Sequence, residues 1–245
     1  GLIGRRLIDA LRARGDEVVA LSRNAPRREL PAEVEQRSWS SEEPEADLQG
    51  VDAVVHLAGE PVAAGRWTPE RKRAIEESRV AGTRSIAAGI RAAHPRVRVF
   101  VSASGIDVYG DTGEATIDER TPEGEGFLAR VGRRWEAEAL RARQQGVRVV
   151  TLRTGMVLAR EGGALPRLLR VARLGLFGPM GGGRQYWPWI HVEDEIGLIL
   201  HALDEAAIDG PMIAAAPNPV RQRDFARALG RALRRPAFAP APRFA

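Results

Sequence analysis

At 245 residues with 44% hydrophobic content the chain can bury a sizeable core, and its lack of cysteine excludes a disulfide framework, a thiolate nucleophile and a zinc–thiolate site. The formal net charge of +5 comes almost entirely from arginines spread over many segments beside acidic residues, the pattern of solvated helix faces rather than of a phosphate-tracking groove. Four histidines without ligand-like spacing point to no metal site, and no apolar run reaches membrane-spanning length.

The chain opens on Gly1-Leu2-Ile3-Gly4, continues with Leu7 and Leu11 at helical spacing, and closes that helix at Gly15. Residues 17–21 are a short apolar run of the kind buried in a parallel sheet, and the run ends in Ser22-Arg23. A glycine turn, a helix and then a strand is the order that holds a dinucleotide pyrophosphate on a helix N-terminus and meets the adenosine ribose at the next strand end. An Asp or Glu at that end suits NAD, whereas the Arg23 guanidinium offers a planar fork of donors to a 2′-phosphate, with Ser22 beside it. The expected cofactor is therefore NADP, against the plainer reading of an ordinary βα turn.

Residues 24–50 are rich in Pro, Glu and Arg, with a short strand expected around 36–39. A buried strand over 51–56 runs into Leu57-Ala58-Gly59, a small-residue turn that permits close backbone approach to a ligand. Thr68-Pro69-Glu70 supplies an N-cap, a first-turn proline and a first-turn acid to a helix carrying Ile75, Ile86 and Ile90 on one side. A strand over 97–101 leads to Ser102-Ala103-Ser104-Gly105 and a Tyr109-Gly110 turn, after which come a helix over 127–143 and a strand over 147–152. Strands alternating with helices make this an α/β chain with a Rossmann-type doubly wound parallel sheet. From Thr154 onward the glycines at 162–163 and 181–183 and the run Gln185-Tyr186-Trp187-Pro188-Trp189 suggest a loop-rich region over the mouth of the sheet. A helix over 193–203, a strand over 212–215 and a helix over 223–233 complete the chain. The expected organisation is a dinucleotide-binding region at 1–153 and a small C-terminal substrate-side subdomain at 154–245.

Ser104 ends a strand and Tyr109 lies in the following loop, a β-turn serine and a packed Tyr-Gly turn being their plainer readings. Arg184, Gln185 and Trp187 follow three glycines that permit movement and form a candidate substrate-side lid, in which Arg184 suits an anionic group and Trp187 either stacks or anchors the loop. Lys72 is the only lysine in the chain.

Taken in order, Gly1-Leu2-Ile3-Gly4, His56-Leu57-Ala58-Gly59-Glu60, Ser78-Arg79-Val80-Ala81-Gly82-Thr83, Ser102-Ala103-Ser104 with Tyr109-Gly110, and Trp189-Ile190-His191-Val192-Glu193-Asp194 resemble the extended short-chain dehydrogenase/reductase superfamily. Within it, the chain is similar to the atypical NADP-binding, epimerase-like branch, over essentially its whole length. The resemblance implies cofactor contacts from Gly1, Leu2, Ile3, Gly4, Ser22, Arg23, Leu57, Ala58, Gly59, Arg79 and Val157. For Arg79 a surface pair with Glu76 or Glu77 is the alternative. The resemblance also makes Ser104, and with it Tyr109 from the next loop, the candidate catalytic hydroxyls. It implies that Gly1 and Gly4 stand for the second and third glycines of a Gly-x-x-Gly-x-x-Gly motif, that the sheet lacks the strand before them, and that the family usually continues past 236–245.

The implied activity is that of an oxidoreductase or nucleoside-sugar epimerase-like enzyme, transferring hydride on a carbonyl or sugar-like substrate. Most members use a Tyr four residues before a Lys for proton transfer, whereas this chain carries Phe127-Leu128-Ala129-Arg130-Val131 where that pair would fall. The departure brings a second reading, a catalytically silent NADP-binding regulatory protein acting through a protein partner. The expected partner is a small-molecule substrate of unknown identity, with no nucleic acid, no membrane and a homodimer left open; the expected compartment is the cytoplasm.

Overall fold

The computed structural model describes residues 1–23, 25–26 and 29–237. Helix α1 (Leu2–Arg14) starts directly after Gly1 and ends at Gly15, whose left-handed φ of 91° lets its N–H reach the Leu11 and Arg12 carbonyls. Strands β1 (Val19–Ser22) and β2 (Glu35–Ser38) follow and pair in parallel, and β3 (Ala53–His56) leads to the long helix α2 (Pro69–Ala92). The Thr68 hydroxyl caps α2 by accepting from the Arg71 N–H at 3.2 Å, as its sequence signature predicts. Then come β4 (Val99–Gly105), α3 (Phe127–Leu140), β5 (Arg148–Thr154) and β6 (Met156–Leu158). The chain goes on through α4 (Leu165–Arg173), β7 (Tyr186–Trp187), β8 (Trp189–His191), α5 (Val192–Asp204), β9 (Gly210–Ala214), β10 (Val220–Arg221) and α6 (Gln222–Leu233).

The main sheet is parallel, in the order β3-β4-β5-β9, with helices on both faces. Alternate residues of each central strand therefore enter different cores. Phe100 and Val149 pack with Ile86, Ile90 and Ala139 from α2 and α3, whereas Leu152 packs with Leu7, Ile196 and Ile199 from α1 and α5. Burial on both sides explains why these strands read as continuous apolar runs. Strands β1 and β2 form a separate pair, and no ladder joins β1 to β3 among the described residues.

After Thr154 the chain adds β9 and α5 to the main sheet and builds a small cluster of its own from Ala172, Phe177 and Ala226, with Trp187 and Phe225 against it. Two differences from the sequence reading lie here. The stretch read as loop contains β7 antiparallel to β10 and β6 parallel to β8. The strand expected at 212–215 spans Gly210–Ala214 because it pairs with β5 from Val150 onward. No helix among the described residues is long and apolar enough to cross a membrane.

Candidate cofactor and active site

A cavity of about 1380 Å³ runs along the break between β1 and β3. It is lined by the turn at residues 1–4, by Ser22 and Arg23 at the end of β1, by Leu57, Ala58 and Gly59 after β3, and by Val157 of β6. Every expected cofactor residue except Arg79 is thus brought to one space. Helix α1 has no side-chain cap and no acidic residue in its first turn, so its N–H groups and positive dipole end are open to an anion. A Cβ built on Gly1 or Gly4 would meet nothing within 4 Å, so the turn is bordered by room rather than by packed protein. Arg23 is exposed and has no ion pair among the described residues, which leaves its donors available.

The two candidate catalytic hydroxyls are joined by charges that the sequence reading missed. Ser104 Oγ donates to Glu136 Oε1 at 2.6 Å, and Arg153 clasps the same carboxylate from the other side, with Nε 3.0 Å from Oε1 and Nη2 2.8 Å from Oε2. Arg153 Nη1 also donates to the Tyr109 hydroxyl at 2.8 Å, and the guanidinium lies over the Tyr109 ring. All four side chains are buried. Burial raises the Tyr109 phenol above its ordinary range, and the Arg153 hydrogen bond offsets this only in part. Tyr109 is consequently protonated near neutral pH and poorly suited to act as a base.

The model of the NAD dependent epimerase/dehydratase family matches residues 1–213. The chain belongs to this family. It is 37% identical over 248 residues to "Epimerase family protein ML0860" of Mycobacterium leprae, covering all of this chain and 78% of that protein. It is 39% identical over 256 residues to the chloroplastic epimerase family protein SDR39U1 homolog of Arabidopsis thaliana, covering all of this chain and 72% of the relative. Among solved structures, human epimerase family protein SDR39U1 with NADPH superposes with a TM-score of 0.87 at 35% identity, over 99% of this chain and 80% of that one. A Thermus thermophilus UDP-glucose 4-epimerase complex with NAD, 21% identical with a TM-score of 0.78, shares the fold. The α1 terminus, the room beside Gly1 and Gly4 and an Arg23 with no ion pair among the described residues fit a nicotinamide dinucleotide.

In this epimerase-family chain Arg79 lies beside the cavity rather than in its wall. Its Nη1 donates to the Glu60 carbonyl at 2.9 Å and the Ile75 carbonyl at 3.1 Å, and the guanidinium stacks on Trp135. It pairs with neither Glu76 nor Glu77; Glu76 is taken by Arg134. A Cβ on Gly59 would come within 3.2 Å of the Arg79 guanidinium carbon, so Arg79 braces the turn from beneath. Ser78 adds a second brace, its hydroxyl accepting from the Glu60 N–H at 3.0 Å.

In the candidate lid, Trp187 packs between Phe177 and Phe225 and anchors the segment rather than swinging with it. Arg184 and Gln185 are exposed, and the Gln185 amide returns to the Met180 carbonyl at 3.1 Å. Fully buried Gln222 holds the preceding turn through the Met180 N–H at 2.8 Å and the Gly178 carbonyl at 3.1 Å.

Two further buried ionisable groups escaped the sequence reading. Burial, reinforced by the nearby Arg79 charge, lowers His56 to about 4 and keeps it neutral against the edge of Trp39. Burial raises Glu195 to about 7, against a Thr154 hydroxyl that donates to its Oε1 at 2.9 Å, and its Oε2 has no partner. Neither is visible in sequence, because His56 closes an apolar strand and Glu195 sits in an acidic first helical turn.

Proposed function

We propose that this chain is an NADP-dependent member of its family, an oxidoreductase or epimerase-like enzyme that transfers hydride on a carbonyl or sugar-like substrate. The observation that carries the reading is the single cavity shared by the open N-terminus of α1, the Ser22-Arg23 strand end, the turn at 57–59 and Val157. The α1 amides would hold the pyrophosphate, Arg23 and Ser22 the 2′-phosphate, and the small residues of the 57–59 turn would let a ribose approach the backbone. When bound, the cofactor would carry the hydride, donated as NADPH and accepted as NADP+. Human SDR39U1 with NADPH supports the choice of cofactor by its likeness to this chain. Fluorescence titration with NADPH and NADH is the test, with tighter binding of NADPH expected. No binding of either, or a preference for NADH, would overturn it.

A second reading is favoured by one observation. Ser104 and Tyr109 are both engaged by a buried ion pair, which suits a catalytically silent NADP-binding protein that acts through a protein partner. Bound NADPH that is never oxidised across a panel of carbonyl compounds and nucleotide sugars would favour it.

A further inference from the structure

Around the start of α3, four side chains form a cluster that neither the cofactor cavity nor the Ser104 network uses. Trp67 and Phe127 meet edge to face with ring centroids 5.4 Å apart. The Lys72 ammonium lies 5.4 Å from the Phe127 centroid and the Arg130 guanidinium 5.8 Å from it. Two cations therefore converge on one phenylalanine. Neither side chain has a carboxylate or carbonyl partner among the described residues. On the same two helices Arg71, Arg73, Arg84, Arg133 and Arg134, by contrast, each pair with a glutamate.

Trp67 is 41% exposed, yet its ring is held in place because Nε1 donates to the Val62 carbonyl at 3.0 Å. It therefore presents a fixed aromatic face with no unmet donor of its own. The cluster also adjoins the cofactor side of the fold. Arg71, next to Lys72, donates to Glu60 Oε1 at 2.7 Å, and Glu60 follows directly on the turn at 57–59 that lines the cavity. Phe127 opens the helix whose Glu136 receives Ser104.

We propose that Trp67, Lys72, Phe127 and Arg130 form a binding site for an aromatic carboxylate, which is the acidic end of the substrate. This deepens the reading of the chain as an NADP-dependent enzyme and rests on it for the identification of this face as the substrate side. A flat ring stacks on Trp67 while its carboxylate is bound by the two cations. A cation over a phenylalanine face gains less than one in a charge-assisted hydrogen bond, so an arriving carboxylate draws Lys72 and Arg130 from the ring without breaking an existing ion pair. A neutral ligand of the same shape gains only the stacking. A compact anion without a ring gains only the charge.

The test is calorimetric titration of the protein, with and without excess NADPH, with 2-naphthoate, 2-naphthamide and acetate. The expected result is that 2-naphthoate binds at least tenfold more tightly than either comparator, and that its affinity falls with added salt. Lys72→Gln should weaken 2-naphthoate about tenfold and Lys72→Arg by less than threefold, while Trp67→Ala weakens it fivefold or more. Equal binding of 2-naphthoate and 2-naphthamide by the wild type, or no binding, overturns the proposal without any variant having to fold. Unchanged 2-naphthoate affinity in Lys72→Gln overturns it as well. NADPH binding measured alongside separates the two claims. A protein that binds NADPH but does not prefer the carboxylate loses this site and keeps its cofactor. One that prefers the carboxylate but ignores NADPH keeps the site and loses the cofactor reading.

Discussion

Glu136 of α3 and Arg153 of β5 form a two-point ion pair in the interior, each side chain less than a tenth exposed. The pair cross-links a helix to the sheet and also engages Ser104 and Tyr109, while Arg153 reaches the Glu119 carbonyl and lies 3.9 Å from Glu123. Bringing two charges out of water is expensive, and the pair recovers that cost only because nearly every donor and acceptor is matched. Removing one partner should therefore be far worse than removing both. Glu136→Ala is expected to lose about 3–5 kcal/mol of stability, while a Glu136→Leu/Arg153→Met double variant keeps most of it. Urea unfolding followed by circular dichroism would decide; a loss below about 1 kcal/mol for Glu136→Ala would show that water reaches the site.

Two separately buried groups, His56 and Glu195, give a pH signature in which two effects oppose each other. His56 has its folded value lowered from 6.5 to about 4, so the unfolded chain takes up its proton first and stability is lost as pH falls through that window. Glu195 has its folded value raised from 4.5 to about 7, so the folded chain holds the proton more tightly and stability is lost as pH rises through that window. Each spans about 2.5 pH units, roughly 3 kcal/mol at full extent. Between pH 4.5 and 6.5 the two slopes nearly cancel. Glu195→Gln, which keeps an acceptor for Thr154, should expose the His56 slope. The variant's gain over wild type is expected to be near zero at pH 4.5 and about 3 kcal/mol at pH 7.5. Parallel unfolding profiles across pH would mean that Glu195 is already ionised in the fold.

How far the sequence carried these features depends on how local their causes are. The Gly15 cap, the Thr68 cap and the central strands were legible because each is decided within a few residues, by a left-handed turn, a hydroxyl before a proline or an apolar run. The order of motifs also singled out the turns at 1–4, 22–23 and 57–59, and the structure brings every expected cofactor residue but Arg79 to one cavity. The Ser104–Glu136–Arg153–Tyr109 network was not legible, since its members are 32, 17 and 44 positions apart. A signal did exist. Arg153 closes the buried run Val149-Val150-Thr151-Leu152, and a charge there requires an opposite charge facing it from a packed helix. The pairing of β7 with β10 left no such trace, because two residues are too few to show a period.

Gly89, within α2, tests which of two familiar effects wins. Alanine in place of glycine in a helix interior is ordinarily worth up to about 1 kcal/mol. Here a Cβ at position 89 would stand 2.2 Å from the Ala46 carbonyl oxygen, a backbone atom of the segment packed across the helix, and 3.2 Å from Leu48. That segment is itself tied to α2 by the Ala46 N–H, which donates to the Ser85 carbonyl. The clash cannot be relieved by turning a side chain, so overpacking should outweigh propensity. Gly89→Ala is expected to destabilise by about 2 kcal/mol or more. A thermal midpoint equal to or above that of the wild type would show that residues 46–48 move aside freely.

Cofactor preference is decided most directly at Arg23. Its guanidinium stands at the end of β1, lining the cavity, and no carboxylate among the described residues competes for it. Charge-assisted hydrogen bonds to a 2′-phosphate are worth about 1.5–3 kcal/mol. Arg23→Ala should thus weaken NADPH binding roughly ten- to a hundredfold. NADH lacks that phosphate, and its affinity should change little. Ser22→Ala, removing a neutral donor, should cost less, on the order of 1 kcal/mol. The NADPH contact should also weaken with rising salt, because the pair forms at an exposed strand end where counterions reach it. Titrating wild type and both variants with the two cofactors at low and high salt separates these contributions. Equal losses for NADPH and NADH in Arg23→Ala would place the guanidinium away from the 2′-phosphate and return the strand end to an ordinary exposed turn.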